Sequence, residues 1–497
     1  MSVLQSLRWW VGRSPDACAI VFEKEKLTYK ELDRLSSFWA TALQRRGVKP
    51  GDRVAAFFSH SLEVPIAFLA IWKVGAIYVP IDPIYPIERV KEILQQAQVV
   101  LTLIHPTLEL SLSKNCMQLS INQQIPEEVV SEQEGEDAYL IFTSGTTGKP
   151  KGVLISQANL WNVLTFFAKH LALTPCDKWL SITPTAFDIF ALELFLPLIC
   201  GATCVLTPRS VVMDPWLLIE KLKKEKITLF QAMPSTYQAL IEEEWPSLTL
   251  RHLLCGGEAW SSSLAQRIAL KKPLQTCLWN VYGPTETTIW SSITAVQKDK
   301  EPVLSPTVTE TYFYVVDSEG KRSDEGELWI GGAGVSRGYW GQESLTSDSF
   351  VLNPFGDLQA SRLYRTGDWV RKNEEGSLIF LGRRDQQVKI RGFRVELGDI
   401  ERSILADPLV KQAAVFWEKW EGESVLFACL QVNKEGFQER ALRFFLTSIL
   451  PAYMIPQYFL LVEDFPLSPH LKTDRKELLA RVSAARSVDQ CPNGAPG

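Results

Sequence analysis

The run Thr143-Ser144-Gly145-Thr146-Thr147-Gly148-Lys149-Pro150-Lys151-Gly152 carries the densest potential chemistry in the chain. It follows the apolar stretch Ala138-Tyr139-Leu140-Ile141-Phe142, which reads as a buried strand. Hydroxyls, exposed backbone N–H groups and two lysines on a glycine-rich turn suit a polyphosphate, which needs close donors and neutralising cations. It is not a Walker loop, because Pro150 follows Gly148-Lys149 and the first glycine is misplaced. A flexible surface loop has the same composition. Metal chemistry from Cys and His is not expected. The nine Cys contain no CxxC, and the five His are never at helical ligand spacing. The odd count and apolar settings fit reduced thiols in a cytoplasmic protein.

The positioning elements come from a chain of 497 residues, long enough for roughly three domains or subdomains at about 150 residues each. A composition 46% hydrophobic and 22% charged excludes a mostly disordered chain, a collagen-like repeat and a small disulfide scaffold. With 52 basic and 57 acidic residues and a formal charge of −5, generic binding to nucleic acid is not expected. Residues 1–11 lack a leader pattern, and no stretch approaches the ~20 apolar residues of a membrane span.

Thr28 and Glu31 form a capping box before Leu32, Leu35, Ser36, Trp39 and Leu43 at helical spacing, with Gly47 ending the run. Residues 52–58 read as a strand and 62–74 as a helix stopped by Gly75, while Pro86 sits where a first helical residue would. This alternation to about residue 300 predicts layered α/β structure with largely parallel sheets. Residues 105–137 and 297–307 read as surface connections. From about 311, short strands between Gly and Asp turns (312–316, 326–330, 376–381) predict a β-rich subdomain. Residues 388–395 read as a hairpin leading into a helix over about 397–405. The expected division is a large N-terminal domain over 1–384, a small C-terminal α+β domain over 385–482, and a frayed tail over 483–497.

The glycine-rich run resembles the phosphate-loop signature of the acyl-adenylate-forming superfamily, which includes acyl-CoA ligases, firefly luciferase and adenylation domains of nonribosomal peptide synthetases. The resemblance covers nearly the whole chain. Residues 27–32, Trp72-Lys73-Val74-Gly75-Ala76-Ile77-Tyr78-Val79-Pro80-Ile81-Asp82, Asn280-Val281-Tyr282-Gly283-Pro284-Thr285-Glu286, 326–339, Tyr364-Arg365-Thr366-Gly367-Asp368, 382–401 and Leu450-Pro451-Ala452-Tyr453-Met454-Ile455-Pro456 match family motifs in order. The resemblance implies ATP and Mg²⁺ as cofactors. ATP contacts would come from Thr143, Ser144, Gly145, Thr146, Thr147, Gly148 and Lys151, and from Gly257, Glu258, Asn280, Tyr282, Gly283, Pro284 and Thr285. Tyr282 offers a ring face to adenine, and Glu286 a carboxylate to Mg²⁺; a Gly-Pro turn opening a helix would read the same. Asp368 resembles the family's ribose ligand and Arg383 an arginine reaching the nucleotide, where a turn aspartate and a domain-edge arginine are the plain alternatives.

Lys472 lies in Pro469-His470-Leu471-Lys472-Thr473-Asp474-Arg475, where the family has Pro-Asn-Gly-Lys-hydrophobic-Asp-Arg. The resemblance makes it the catalytic cation for attack on the α-phosphate; a solvated lysine is the alternative, and the missing glycine alters the loop's backbone options. Asp385 resembles the hinge about which a mobile small domain rotates between adenylating and thioester-forming states. Lys389 resembles the lysine that faces the active site after rotation. A plain linker and a charged hairpin are the alternatives.

In peptide-synthetase adenylation domains an aspartate at the place of Asp188 pairs with the substrate ammonium, and a buried carboxylate wants a cation. A helix N-cap is the alternative. The implied pocket adds Ile189, Leu192, Gln231, Leu254, Gly256, Val281, Ile289, Trp290 and Lys472. An indole at the floor leaves little volume, and the set resembles a glycine-selecting signature, with Ala, D-Ala or Ser next. Only about 25 residues follow Lys472, too few for a carrier domain. The expectation is therefore a cytoplasmic ligase that forms aminoacyl-AMP and loads the phosphopantetheine thiol of a separate carrier protein. A carboxylic acid–CoA ligase and a non-catalytic nucleotide-binding regulator are the alternatives.

Overall fold

The computed structural model describes residues 1–108, 115–121, 133–144, 150–245, 249–297, 300–305, 307–356, 359–383, 387–390, 393–420, 423–433, 435–466 and 475–486, without the side chains of 419–420, 423–424 and 483–486. Gly145, Thr146, Thr147, Gly148, Asp385 and Lys472 thus lie outside the described residues.

Two large sheets form the first part of the chain. One has seven strands, running Gly338–Tyr339, Lys151–Ser156, Asp137–Thr143, Ile77–Ile81, Arg53–Phe57, Leu101–Ile104 and Cys116–Gln118. It is parallel from Asp137–Thr143 onward. The other has eight, running Ser292–Ala295, Cys277–Tyr282, His252–Gly256, Leu229–Ala232, Lys178–Ser181, Thr203–Leu206, Cys18–Phe22 and Glu25–Thr28, parallel except at both edges. The predicted layering and parallel pairing are both present. Cys116–Gln118 is a strand inside a segment the sequence presents as a connection. Its weak pattern is that of a short edge strand with one paired side.

Two helices, Glu63–Lys73 and Asp188–Ile199, are buried on nearly every side. A helix apolar all round must lie inside a core, and these two face each other between the sheets. Glu63–Lys73 packs on the seven-stranded sheet and Asp188–Ile199 on the eight-stranded one. Between them, the Phe195 ring lies 4.8 Å from Phe68 and 4.5 Å from Trp72. Lys73 is the one cation in this layer among the described residues. Its ammonium donates to Asp33 Oδ1 at 2.6 Å, to the Asp33 carbonyl at 2.9 Å and to Ser37 Oγ at 2.7 Å.

The capping box at Thr28 and Glu31 forms as read, opening Tyr29–Arg45. Pro86 is the N-cap rather than the first helical residue, with Ile87–Gln96 following. An antiparallel β subdomain holds Thr311–Val316, Glu325–Gly332, Arg362–Lys372, Phe350–Leu352 and Leu378–Arg383. The hairpin Gln387–Ile390/Phe393–Glu396 then leads into the helix Leu397–Leu405. The small domain closes on a sheet of Val410–Trp420, Glu423–Val432 and Tyr458–Leu461 with its own apolar cluster around Ile400, Leu426 and Leu446. The last helix, Arg475–Arg486, runs into the expected tail. The eight described cysteines are free thiols. Among the described residues no helix is long and apolar enough to cross a membrane.

Candidate active site

The site gathers where parallel strands of the eight-stranded sheet end, the usual ligand position in such sheets. Register explains which residues meet. Gln231 pairs with Leu254, and Gly256 with Val281. Positions two apart share a face, so Gln231, Leu254, Gly256 and Val281 line the side that covers Asp188–Ile199, together with Leu229. Gly256 is required there, since a Cβ would come 2.2 Å from the Val281 carbonyl. From the helix, Asp188 and Leu192 are one turn apart, with Ile189 beside them.

The chain leaves Cys277–Tyr282 through Gly283-Pro284 and a single 3₁₀ turn, Thr285–Thr287. It then reverses through Thr288 and Ile289, both left-handed at φ 65° and 66°. Such a pair of non-glycine residues costs of order 1–3 kcal/mol each and persists only where neighbours hold it. Here Thr288 Oγ1 donates to the Gly334 carbonyl at 2.6 Å, and Ser291 N to the Tyr282 carbonyl at 2.7 Å. The reversal turns Trp290 inward, fully buried, its indole N–H donating to Gln231 Oε1 at 2.9 Å. Asp188, Ile189, Leu192, Gln231, Leu254, Gly256, Val281, Ile289 and Trp290 are all buried.

Asp188 is the first helical residue, not the cap; the cap is Phe187. Its Oδ1 accepts the Ile189 N–H at 2.9 Å, and Thr285 is a further hydrogen-bond partner. Burial raises the carboxyl above its ordinary range, the Lys389 ammonium opposes that rise electrostatically, and among the described residues no lysine or arginine is in direct contact with it.

Asp368 sits inside the strand Arg362–Lys372 rather than in a turn. Opposite Glu327 to Trp329, residues 365 to 369 carry two extra residues, a bulge that re-aims a side chain. Gly367 takes φ 74° in it. Asp368 Oδ2 accepts from the Tyr282 hydroxyl at 2.5 Å and Oδ1 from Arg383 at 2.7 Å, so three predicted nucleotide residues are joined. Asn280 is brought near but turned away, its amide held by Trp260 and the Val303 carbonyl.

Glu286 is fully buried amid cations. Arg394 of the hairpin reaches Oε1 at 2.9 Å and Oε2 at 2.8 Å, the Tyr339 hydroxyl donates to Oε1 at 2.8 Å, and Lys151 Nζ lies 3.7 Å away. Burial alone would raise this carboxyl, but Arg394, then Lys151 and Tyr339, bring it down to about 2. Burial first, then Arg394, draws Lys151 down to about 8. Ser144 Oγ donates to the Arg394 carbonyl at 2.6 Å, and the Phe393 ring lies 4.9 Å from Phe187. The hairpin is therefore seated in the site. Lys389 comes with it, its ammonium lowered by burial and opposed by the Asp368 charge, with Glu258 also near.

Sequence reasoning does not single out Arg394 or Tyr339. Both lie in stretches that match family motifs, but nothing local shows that they converge on Glu286. Glu193 is missed as well, although a lone carboxylate in the apolar run 189–198 is a visible signal.

Asp368, Tyr282 and Arg383 form one linked group, Lys151, Glu286, Tyr339 and Arg394 form a second, and the Asp188 carboxylate lies within electrostatic reach of Glu286. A model of AMP-binding enzymes matches residues 7–340. The chain is 33% identical over 496 residues to a dimodular nonribosomal peptide synthase of Bacillus subtilis (strain 168), covering 96% of this chain and 21% of that protein. It is 35% identical over 481 residues to gramicidin S synthase 2 of Brevibacillus brevis, covering 94% of this chain and 11% of that protein. The chain thus spans only a small part of these relatives. Among solved structures, a four-domain nonribosomal peptide synthetase bound to AMP and glycine matches at TM-score 0.71 and 35% identity, covering 96% of this chain and 36% of that one. A peptide-synthetase protein containing adenylation and PCP domains matches at TM-score 0.85 and 27% identity, covering 97% and 84%.

Proposed function

The chain belongs to the family of AMP-binding, adenylate-forming enzymes, and from that premise we propose that it activates a small amino acid, glycine foremost, as aminoacyl-AMP. In the proposed second step it hands the acyl group to the phosphopantetheine thiol of a carrier protein. The observation that carries the reading is Asp188: a buried carboxylate at the head of an apolar helix, with Lys389 as an electrostatic neighbour but no cation in direct contact among the described residues, is complementary to a substrate ammonium. Trp290, fixed by Gln231, closes the pocket where a side chain would extend. The solved relative bound to AMP and glycine supports glycine as the first candidate.

Asp368 and Arg383 would hold the ribose, Tyr282 would stack on adenine, and Thr143, Ser144 and Lys151 would face the phosphates. Glu286 would hold Mg²⁺, which supplies neutralisation of phosphate charge. The residues fit that ion when Arg394 is withdrawn, since the seated hairpin places a guanidinium on both carboxylate oxygens. We assign Lys472 to the adenylating arrangement and Lys389 to the thioester-forming one, with the small domain turning at Asp385 between them. The seated hairpin supports this reading of Lys389. Residues 1–384 and 385–482 are the proposed domains.

The test is pyrophosphate release with glycine for wild type and Asp188→Asn. The reading expects release with wild type and a loss of roughly 100-fold in kcat/KM for the variant, the scale of an unpaired buried charge. Equal rates for the two proteins, or release only with fatty or aryl acids, would overturn it.

A further inference from the structure

The helix that presents Asp188 has no side-chain cap at its start, because Phe187 cannot supply one. Something else must fix where residue 188 stands. Five positions on, Glu193 points back from the same helix to the end of the strand Lys178–Ser181. It is fully buried, and its carboxylate accepts four hydrogen bonds. Oε2 takes the Ser181 hydroxyl at 2.8 Å and the Ile182 and Thr183 N–H groups at 3.1 Å each, and Oε1 takes the Thr183 hydroxyl at 2.8 Å. One side chain thereby ties both ends of the segment 181–188.

Two further contacts hold that segment to residues just past the strand Arg53–Phe57. Thr185 Oγ1 donates to the Phe58 carbonyl at 3.0 Å. The His60 ring stands between the Thr183 and Thr207 carbonyls, 2.7 Å from each, and stacks on Phe190. The Ile182 and Thr183 N–H groups can only donate, so Oε2 must be an acceptor, while the Ser181 and Thr183 hydroxyls can also accept. A glutamine could complete the set only in the one orientation that turns its NH₂ group to the Thr183 hydroxyl, and it would give up the charge-assisted bonds to the two N–H groups.

We propose that Glu193 is the positioning residue that sets the Asp188 carboxylate for the substrate ammonium. The idea rests on the amino-acid reading above. Glu193 touches no substrate; it acts through the segment that leads into Asp188. Burial pushes its carboxyl up to about 7, and the four donors keep it from rising further.

The test is Glu193→Gln, read as kcat/KM in pyrophosphate exchange for glycine and for acetate, which lacks the ammonium. A positioning role predicts that the preference for glycine over acetate falls roughly 10- to 100-fold, the scale of a small misplacement, while the KM for ATP changes less than about twofold. It also predicts that Glu193→Gln adds little to Asp188→Asn, because both act on one interaction. If Glu193→Gln does not fold, Ser181→Ala with Thr183→Val removes two donors without burying a new one and should lower the same ratio. An unchanged ratio in the folded variants, with both substrates slowed alike, overturns the positioning role and leaves the amino-acid reading standing. A wild type with no preference for glycine over acetate overturns the amino-acid reading and this proposal with it.

Discussion

Arg394→Ala separates the two half-reactions if the hairpin is seated as the structure shows. Arg394 contacts both oxygens of Glu286 from the small domain, 2.8 and 2.9 Å away. Burial would raise the Glu286 carboxyl, yet Arg394, then Lys151 and Tyr339, hold it down at about 2, so its charge is net stabilised in place. Breaking a buried pair by removing one partner costs about 3–5 kcal/mol. Lys151 at 3.7 Å and Tyr339 at 2.8 Å remain, so the cost of seating the hairpin should be about 2–3 kcal/mol. That is roughly a 30- to 150-fold loss of the seated arrangement. The adenylating half-reaction, which needs the hairpin withdrawn, should be preserved. The assay is paired: amino-acid-dependent pyrophosphate exchange for the first step, and single-turnover transfer from preformed adenylate to a pantetheine thiol for the second. The account predicts near-normal exchange and transfer slowed by about that factor, with Arg394→Lys between, since lysine keeps the charge without the planar guanidinium. Equal losses in both steps, or unimpaired transfer, would refute it.

Lys389→Ala should likewise spare exchange and slow transfer about tenfold or more, the scale of a lost electrostatic contact; exchange falling instead would place Lys389 in the first step. Lys151, held near 8, is largely neutral at pH 9 and charged at pH 6.5. Polyphosphate restores the proton, so MgATP binding should take up a proton at pH 9 and none at pH 6.5. Calorimetry in buffers of different ionisation enthalpy checks this, and proton release at pH 9 would contradict it. Trp290→Ala removes the pocket floor and leaves Gln231 without its indole donor; the preference for glycine over larger amino acids should fall by about 1–3 kcal/mol per methylene accommodated, read from exchange across the set. Lys73→Met strips the cation from beneath Asp33 and Ser37 and should cost about 3 kcal/mol. A melting temperature equal to wild type would refute that role.

Much of the fold was legible because periodicity carries it. The capping box at Thr28 announced its helix, and the glycines after residues 46 and 74 marked helix ends. Asp188 and Trp290 were visible only because motif spacing placed them; what brings them together is the register of parallel strands far apart in sequence. Asp368 looked like a turn residue because Thr-Gly-Asp is a turn composition, whereas a bulge inside a long strand uses the same residues to aim a carboxylate inward. Arg394 on Glu286 was invisible because it depends on where the small domain docks, which no local pattern encodes. Glu193 was overlooked although its isolation among Ile189, Phe190, Leu192, Leu194 and Phe195 advertised a buried charge that must have partners.

The central claim is that a buried carboxylate and a closed apolar pocket select a small amino acid for adenylation. The most direct measurement is pyrophosphate exchange into ATP across the proteinogenic amino acids with D-Ala and β-Ala. The account predicts one dominant signal, for glycine, with a weaker one for alanine. Exchange with a bulky amino acid would contradict the role given to Trp290, and exchange with only fatty or aryl acids would contradict the role given to Asp188.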